Sequence, residues 1–308
     1  MDSKRFRKYL LRLASVAIGI SLMAYLYFST DGEFTQFIKS MNLQTMLILI
    51  AVYAGILIID ISRLIVILHP SKKSVNPSSV RATILAPSLN MLLPGRAGDL
   101  NALVGSRASD WPIGQRTRNL VLLRLMDLVV LAIIGTILAA SLLNYTLMLA
   151  MILAVIIGSM VVYKILPFLV GKFASVLKLP IGEFKPEEDH IALKRFALTG
   201  ISSVLFWIIQ GWFTYLVINS FTVDMMSFTT VLAAVAAANL SKLIPITPGG
   251  VGIYENTLAF TLTYLGGISV EIAAAAALAD GVLRYVLTAS MPWLGLAFSN
   301  SPKSEEEE

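Results

Sequence analysis

The chain has 308 residues, of which 56% are hydrophobic and only 14% charged, against about 25% charged in soluble domains, and its mean hydropathy of +0.78 is too high for a water-facing shell. The lack of cysteine and the presence of two histidines, His69 and His190, exclude a disulfide framework, a thiol nucleophile and the usual Cys/His zinc sites, and leave almost no scope for histidine catalysis. The formal charge of +5, with four of the 19 acids in the run at 305–308, reads as membrane topology before nucleic-acid binding.

A bilayer core about 30 Å thick needs roughly 20 apolar residues per helix. Seven runs are candidates: residues 13–28, 43–68, 119–143, 146–170, 196–221, a short one at 253–265, and 272–298. The first follows Lys4, Arg5, Arg7, Lys8 and Arg12 with no small-residue cleavage site after it, so it reads as an uncleaved anchor with its amino terminus in the cytoplasm. The links then alternate. Lys72, Lys73, Arg81, Arg96, Arg107, Arg116 and Arg118 fall between the second and third runs, and Lys172, Lys178, Lys185, Lys194 and Arg195 between the fourth and fifth. The opposite-side links, 29–42, 144–145 and 222–227, hold one basic residue, Lys39. No link is long enough for a soluble catalytic domain, and the longest, 171–195, reads as a cytoplasmic surface segment.

Two Pro-Gly dipeptides occur, and each opens the pattern Pro-Gly-x-x-Gly: Pro94, Gly95, Gly98 and, 154 positions on, Pro248, Gly249, Gly252. Each follows an asparagine, Asn90 or Asn239, and precedes a carboxylate, Asp99 or Glu255. The apolar runs before them start about as far apart, so a unit of helix, break and helix reads as duplicated, at 43–143 and 196–298. By the charge pattern the run before the first break exits into the cytoplasm and the run before the second exits on the far side, which makes the repeat inverted. Inverted repeats with Pro/Gly-broken helices place a binding site near the midplane, and unpaired backbone at that depth must face protein or a water-filled cavity. Residues 82–98 and 231–252 are expected to be re-entrant elements entering from opposite faces. The fold expected is all-α: one polytopic membrane domain over 1–308 with about seven transmembrane helices, two re-entrant elements and an acidic tail at 299–308.

Ionisable residues inside spans are costly and mark a cavity or a pair. Three helices carry an acid and an arginine at spacings that bring side chains together: Asp60 with Arg63, Arg124 with Asp127, and Asp280 with Arg284. Permanently charged, planar guanidinium suits phosphate better than a proton relay, although structural ion pairs, with Arg63 reaching the cytoplasmic interface, would give the same pattern. Arg96 in the first break and Lys242 before the second put a cation beside exposed backbone N–H groups, such as those of Gly249 and Gly250, and that combination favours an anion. Trp207 and Gln210 read as packing residues. The glycines follow no strand and form no dinucleotide fingerprint, and there is no Walker motif; no metal, no cofactor and no catalytic residue is expected.

The segment NLSKLIPITPGGVGIYE (239–255) resembles the signature of the lysylphosphatidylglycerol synthase transmembrane region family, the flippase-like integral membrane proteins, and NMLLPGRAGDL (90–100) and RLMDL (124–128) match its other recurring stretches. In members that make aminoacylated lipid, a cytosolic aminoacyltransferase domain follows the membrane part, which moves the lipid between leaflets. This chain instead ends at a short acidic tail, so the resemblance implies translocation, in the cell membrane, of an anionic phospholipid or a polyprenyl-phosphate-linked lipid rather than synthesis. A separate lipid synthase or glycosyltransferase is the partner it implies. Three rivals stand beside it: an intramembrane transferase using Asp99 or Glu255 as base, an ion-coupled solute transporter using Asp127, Glu255 and Asp280, and a membrane partner that recruits a separate synthase.

Overall fold

The computed structural model of the chain describes residues 3–69, 75, 77–92, 97–106, 111–139, 146, 149, 153, 157, 189–221, 225–242 and 246–299. Among the described residues there are eleven α-helices and no strand. Four helices, α3 (Leu43–Leu68), α7 (Ile113–Ala139), α8 (Asp189–Ile218) and α11 (Val270–Ser299), contain a stretch long and apolar enough to cross a membrane, and α1 (Ser3–Phe28) joins them if it is counted with α2 (Glu33–Ser40) as one bent element. The bend is 81°, made where Asp31 and Gly32 take positive φ of 44° and 88°. The fourth expected span, 146–170, lies outside the described residues apart from isolated positions, as do the tail beyond 299 and most of the 171–195 segment, whose last residues open α8.

Between α3 and α7 lie three short helices, α4 (Pro77–Ile84), α5 (Ala86–Leu92) and α6 (Ala97–Gly105), with the first Pro-Gly break between α5 and α6. Between α8 and α11 lie α9 (Phe228–Ser241) and α10 (Ile253–Gly266), with the second break and a 3-10 turn at Pro248–Gly250 between them. Both halves therefore run from a long helix through short helices and a break to a long helix, with two short helices before the break in the first half and one in the second. The expected span at 253–265 is corrected by this arrangement: α10 has 14 residues, about 21 Å at 1.5 Å per residue, too short for a 30 Å core. Apolar composition alone does not reveal that a helix begins at a break inside the bundle. The third run also starts earlier than expected, so that Arg116 and Arg118, read as loop residues, belong to α7. Arg116 is buried and donates from Nη1 to the Leu103 carbonyl at 2.7 Å, satisfying an open C=O at the end of α6.

Packing follows from side-chain size. In α11 67% of the span is buried, against 22% in α3, so α11 is the central helix and α3 a peripheral one. The buried face of α11 is built from Ala273, Ala274, Ala275, Ala276, Ala277 and Ala279, and α9 brings Ala233, Ala234, Ala236 and Ala238; small side chains let helix backbones approach closely in lipid. The first group of short helices, α4 to α6, closes in the same way. A Cβ on Gly98 would lie 1.9 Å from the Ala86 carbonyl oxygen, and one on Gly105 2.2 Å from the Ala82 Cβ. The second break meets the end of α5: a Cβ on Gly249 would lie 2.7 Å from the Met91 carbonyl oxygen. Helix α1 holds the second break from outside, where Ser15 Oγ donates to the Ile246 carbonyl at 2.6 Å and Asn256 Nδ2 donates to the Leu22 carbonyl at 3.1 Å.

Candidate functional site

A cavity of about 430 Å³ opens where the second break meets α3, α5, α7, α8 and α11. Asp60, Asn90, Arg124, Asp127, Asn239, Lys242, Gly249, Gly250, Glu255 and Arg284 line it. Arg63, Asp99 and Asp280 stand one layer behind as partners of these residues, and Arg96 lies outside the described residues. One volume thus collects residues spread over more than two hundred positions of the chain.

The charges group in two clusters. In the first, α7 presents Arg124 to the start of α6. Its Nε and Nη2 donate to Asp99 Oδ2 and Oδ1 at 2.9 and 2.6 Å, a bidentate fork, and its Nη1 lies 3.3 Å from Asp127 Oδ2 and 3.7 Å from Asp60 Oδ1. Asn90, the last polar residue before the first break, donates to Asp99 Oδ1 at 2.8 Å and accepts from the Asp99 backbone N–H at 3.0 Å. This reciprocal pair ties the two limbs of the hairpin across residues 93–96, so Asn90 satisfies freed backbone as well as facing the cavity. The expected pairing of Asp60 with Arg63 is corrected: Arg63 donates to Asp127 and, at 2.9 Å, to Ser203 Oγ. Its guanidinium lies 4.7 Å from the Phe206 ring centroid, buried in the bundle rather than reaching the interface. A spacing of three puts Asp60 and Arg63 on one side of α3, but only α7 and α8 supply the ion pair and hydroxyl that compensate a buried guanidinium.

In the second cluster Asp280 and Arg284 pair within α11 as expected, Nε to Oδ2 at 2.6 Å. Asp280 also accepts from Thr214 at 2.8 Å and Tyr254 at 3.0 Å. Arg284 also donates to the side chain of Gln210 and, at 2.6 Å, to Thr214 Oγ1. Gln210, expected to pack, is in fact a principal acceptor of Arg284. Glu255 is buried; its Oε2 accepts from the Gly252 N–H at 2.7 Å, capping α10, and its Oε1 accepts from Tyr285 at 2.5 Å. Gly281 makes room for it, since a Cβ there would lie 2.5 Å from Glu255 Oε1. Lys242 Nζ donates to Asn239 Oδ1 at 3.1 Å and sits 4.0 Å from the Tyr254 ring centroid. Gly249 and Gly250 hold φ of 63° and 77°, a region that disfavours side chains, and a Cβ on Gly250 would meet Lys242 Cγ at 2.6 Å.

Several residues of this wall carry no distinctive sequence signal. Tyr53 and Thr288 share a 2.6 Å hydrogen bond between α3 and α11, and Ser88 of α5 donates to the Thr288 carbonyl at 2.6 Å. Tyr285 and Thr288 could have been found as the polar stripe that continues Asp280, Gly281 and Arg284 along one helix face. Among the described residues the buried Trp207 Nε1 and Thr247 Oγ1, both in residues that line the cavity, have no hydrogen-bond partner, which a satisfied apolar core would not leave.

Fold and site together define a polytopic helical membrane protein with a charged cavity between two broken helical elements. The chain belongs to the lysylphosphatidylglycerol synthase transmembrane region family, whose model matches residues 12–290. A segment is also similar to Glycosyltransferase AglD of Haloferax volcanii, at 29% identity over 129 residues; this is 39% of the chain and covers only 21% of that protein.

Proposed function

We propose that this lipid-related membrane protein carries the polar headgroup of an anionic phospholipid, or of a polyprenyl-phosphate-linked lipid, between the leaflets of the cell membrane. The observation that carries this reading is the charged, polar cavity where the second helix break meets the end of α5 inside an apolar bundle: such a cavity in a membrane bundle has a use only beside water or a polar guest. In this account Arg124, Arg284 and Lys242 face the phosphate, the acyl or prenyl chains stay in lipid, and no bond is made or broken. The units 43–143 and 196–298 act as inverted repeats, the amino terminus lies in the cytoplasm, and a separate synthase or glycosyltransferase supplies the lipid. The similarity to a protein named as a glycosyltransferase favours keeping the sugar-linked substrate beside the phospholipid. It gives less support to a transferase in this chain, because Asp99 is held by Arg124 and Asn90 and Glu255 by Gly252 and Tyr285, which leaves neither free as a base.

The test is leaflet exchange of a fluorescent phosphatidylglycerol in vesicles carrying the full chain. Lys242→Ala removes a cation and Gly250→Leu fills the break. Each is expected to slow exchange about tenfold or more, the size of a lost charged hydrogen bond, and wild-type rates in both variants would overturn the reading.

A further inference from the structure

Five buried or half-buried carboxylates surround the cavity, and four of them are compensated. Asp99 accepts from Arg124 and Asn90, Asp127 from Arg63 and Arg124, Asp280 from Thr214, Tyr254 and Arg284, and Glu255 from Gly252 and Tyr285. Asp60 is the exception. Its Oδ1 is buried with no hydrogen bond from the described residues, and the cation it approaches, Arg124 Nη1 at 3.7 Å, belongs to a guanidinium whose fork is already committed to Asp99. A half-buried carboxylate whose inner oxygen lacks a donor is held at an electrostatic cost, and taking up a proton removes that cost.

We propose that Asp60 is the proton-binding site of the cavity. A single carboxylate oxygen is a complete site for a proton, which needs no further ligand, and among the described residues no three acidic or histidine side chains converge as metal ligands. The charged groups around it come from several elements. Helix α7 brings Arg124 and Asp127, α3 itself carries Arg63, which is turned to Asp127, and Asp99 of α6 lies behind Arg124. To the same cavity α11 brings Arg284 and Tyr285, the end of α9 Lys242, α10 Tyr254 and Glu255, and α3 Tyr53; among the described residues α5 and α8 bring only neutral polar groups, Asn90, Trp207 and Gln210, and Arg81 of α4 is exposed. The step is a simple association: a water-borne proton adds to a carboxylate oxygen of Asp60, giving a neutral acid whose O–H can donate to an oxygen of a guest, and the same proton leaves to water. With Asp60 neutral, Arg124 answers two carboxylates instead of three and its charge becomes available to a phosphate. Headgroup binding then takes up a proton and weakens as pH rises. This coupling rests on the translocation reading, whereas the proton site itself does not.

Infrared titration of the lipid-free full chain in nanodiscs reads the site directly. A carboxylic-acid band that titrates in the wild type and is missing from Asp60→Asn is expected; the same band in both proteins would overturn the proposal. Asp60→Glu is the second variant, retaining an acid, so the band should shift in frequency, and a band unmoved by it would count equally against Asp60. For the coupling, the probe is short-chain phosphatidylglycerol. Its affinity for the wild type should fall about tenfold per pH unit while one proton is taken up, and Asp60→Asn should hold the low-pH affinity throughout. Calorimetry on the wild type in two buffers of different ionisation heat should show uptake of about one proton per lipid, and none taken up would end the coupling. Absence of any lipid binding would remove the translocation reading while leaving the infrared result to decide Asp60.

Discussion

At the scale of single residues, the cavity is governed by how each buried charge is answered. Arg284 is answered three times, by Asp280, Gln210 and Thr214, so its loss strands the wholly buried Asp280 with only the hydroxyls of Thr214 and Tyr254. Removing one partner of such a pair typically costs about 3–5 kcal/mol, whereas removing both leaves no uncompensated charge. Arg284→Ala is therefore expected to lower the unfolding temperature more than the Asp280→Ala, Arg284→Ala double variant does, in melts followed by loss of monodisperse protein. Additive effects of the two single changes would show that the pair is not coupled. Asn90 offers a second test of the same logic. Asn90→Ala leaves the Asp99 N–H without its acceptor, at about 1–3 kcal/mol for a stranded buried group, and hydrogen exchange at 97–100 should accelerate while exchange in α11 stays unchanged.

The helices meet where residues are small, and the nature of each contact decides which substitutions can be compensated. Gly105 faces a side-chain methyl, Ala82 Cβ, whereas Gly98 faces a backbone carbonyl, that of Ala86. Gly105→Ala and Gly98→Ala should each destabilise the first hairpin by about 1–3 kcal/mol through overpacking. Ala82→Gly is expected to restore stability to Gly105→Ala, since it removes the atom in the way. Ala86→Gly should not rescue Gly98→Ala, because a carbonyl remains whatever the side chain. Equal rescue in both pairs would mean that α6 shifts freely against α4 and α5, contrary to the close crossing observed. The second hairpin relies on a different device: Gly249 and Gly250 provide positive φ, the carbonyls of Thr247 and Pro248 accept from the N–H groups of Gly250 and Val251, and Glu255 caps the start of α10, so the chain turns tightly beside the cavity with these backbone groups satisfied.

For the molecule as a whole, the asymmetry of basic residues predicts the orientation. Seventeen of the 24 lysines and arginines fall in the segments expected to stay in the cytoplasm. Cysteines placed at Ser175 and Ser227 in the otherwise cysteine-free chain should therefore label differently from outside intact cells, Ser227 readily and Ser175 only after permeabilisation. Labelling of both from outside would reverse the topology and remove the inversion of the repeat. The same geometry makes the cavity a shared product of both halves, since the first break supplies Asn90 and the carbonyl of Met91 while the second supplies Gly249, Gly250 and Lys242. Neither half closes it alone.

Composition and periodic runs of apolar residues are local properties, and they sufficed for the all-α membrane class, for the long helices α3, α7, α8 and α11, and for the two Pro-Gly breaks. The breaks were legible because a proline and closely spaced glycines inside an apolar run have few other uses. Pairing was not legible. The spacing of Asp60 and Arg63 predicts a bond within one helix, yet Arg63 is answered by Asp127 and Ser203 from other helices, and nothing within α3 encodes that rotation. Only tertiary packing decides it, because a buried charge takes whichever donors and acceptors the neighbouring helices bring within reach in a low-dielectric interior. The same reason makes residues 253–265 part of a short helix that follows the second break and makes Gln210 an acceptor of Arg284. It also leaves Asp60, among the described residues, with a buried Oδ1 to which the surrounding helices donate no hydrogen bond.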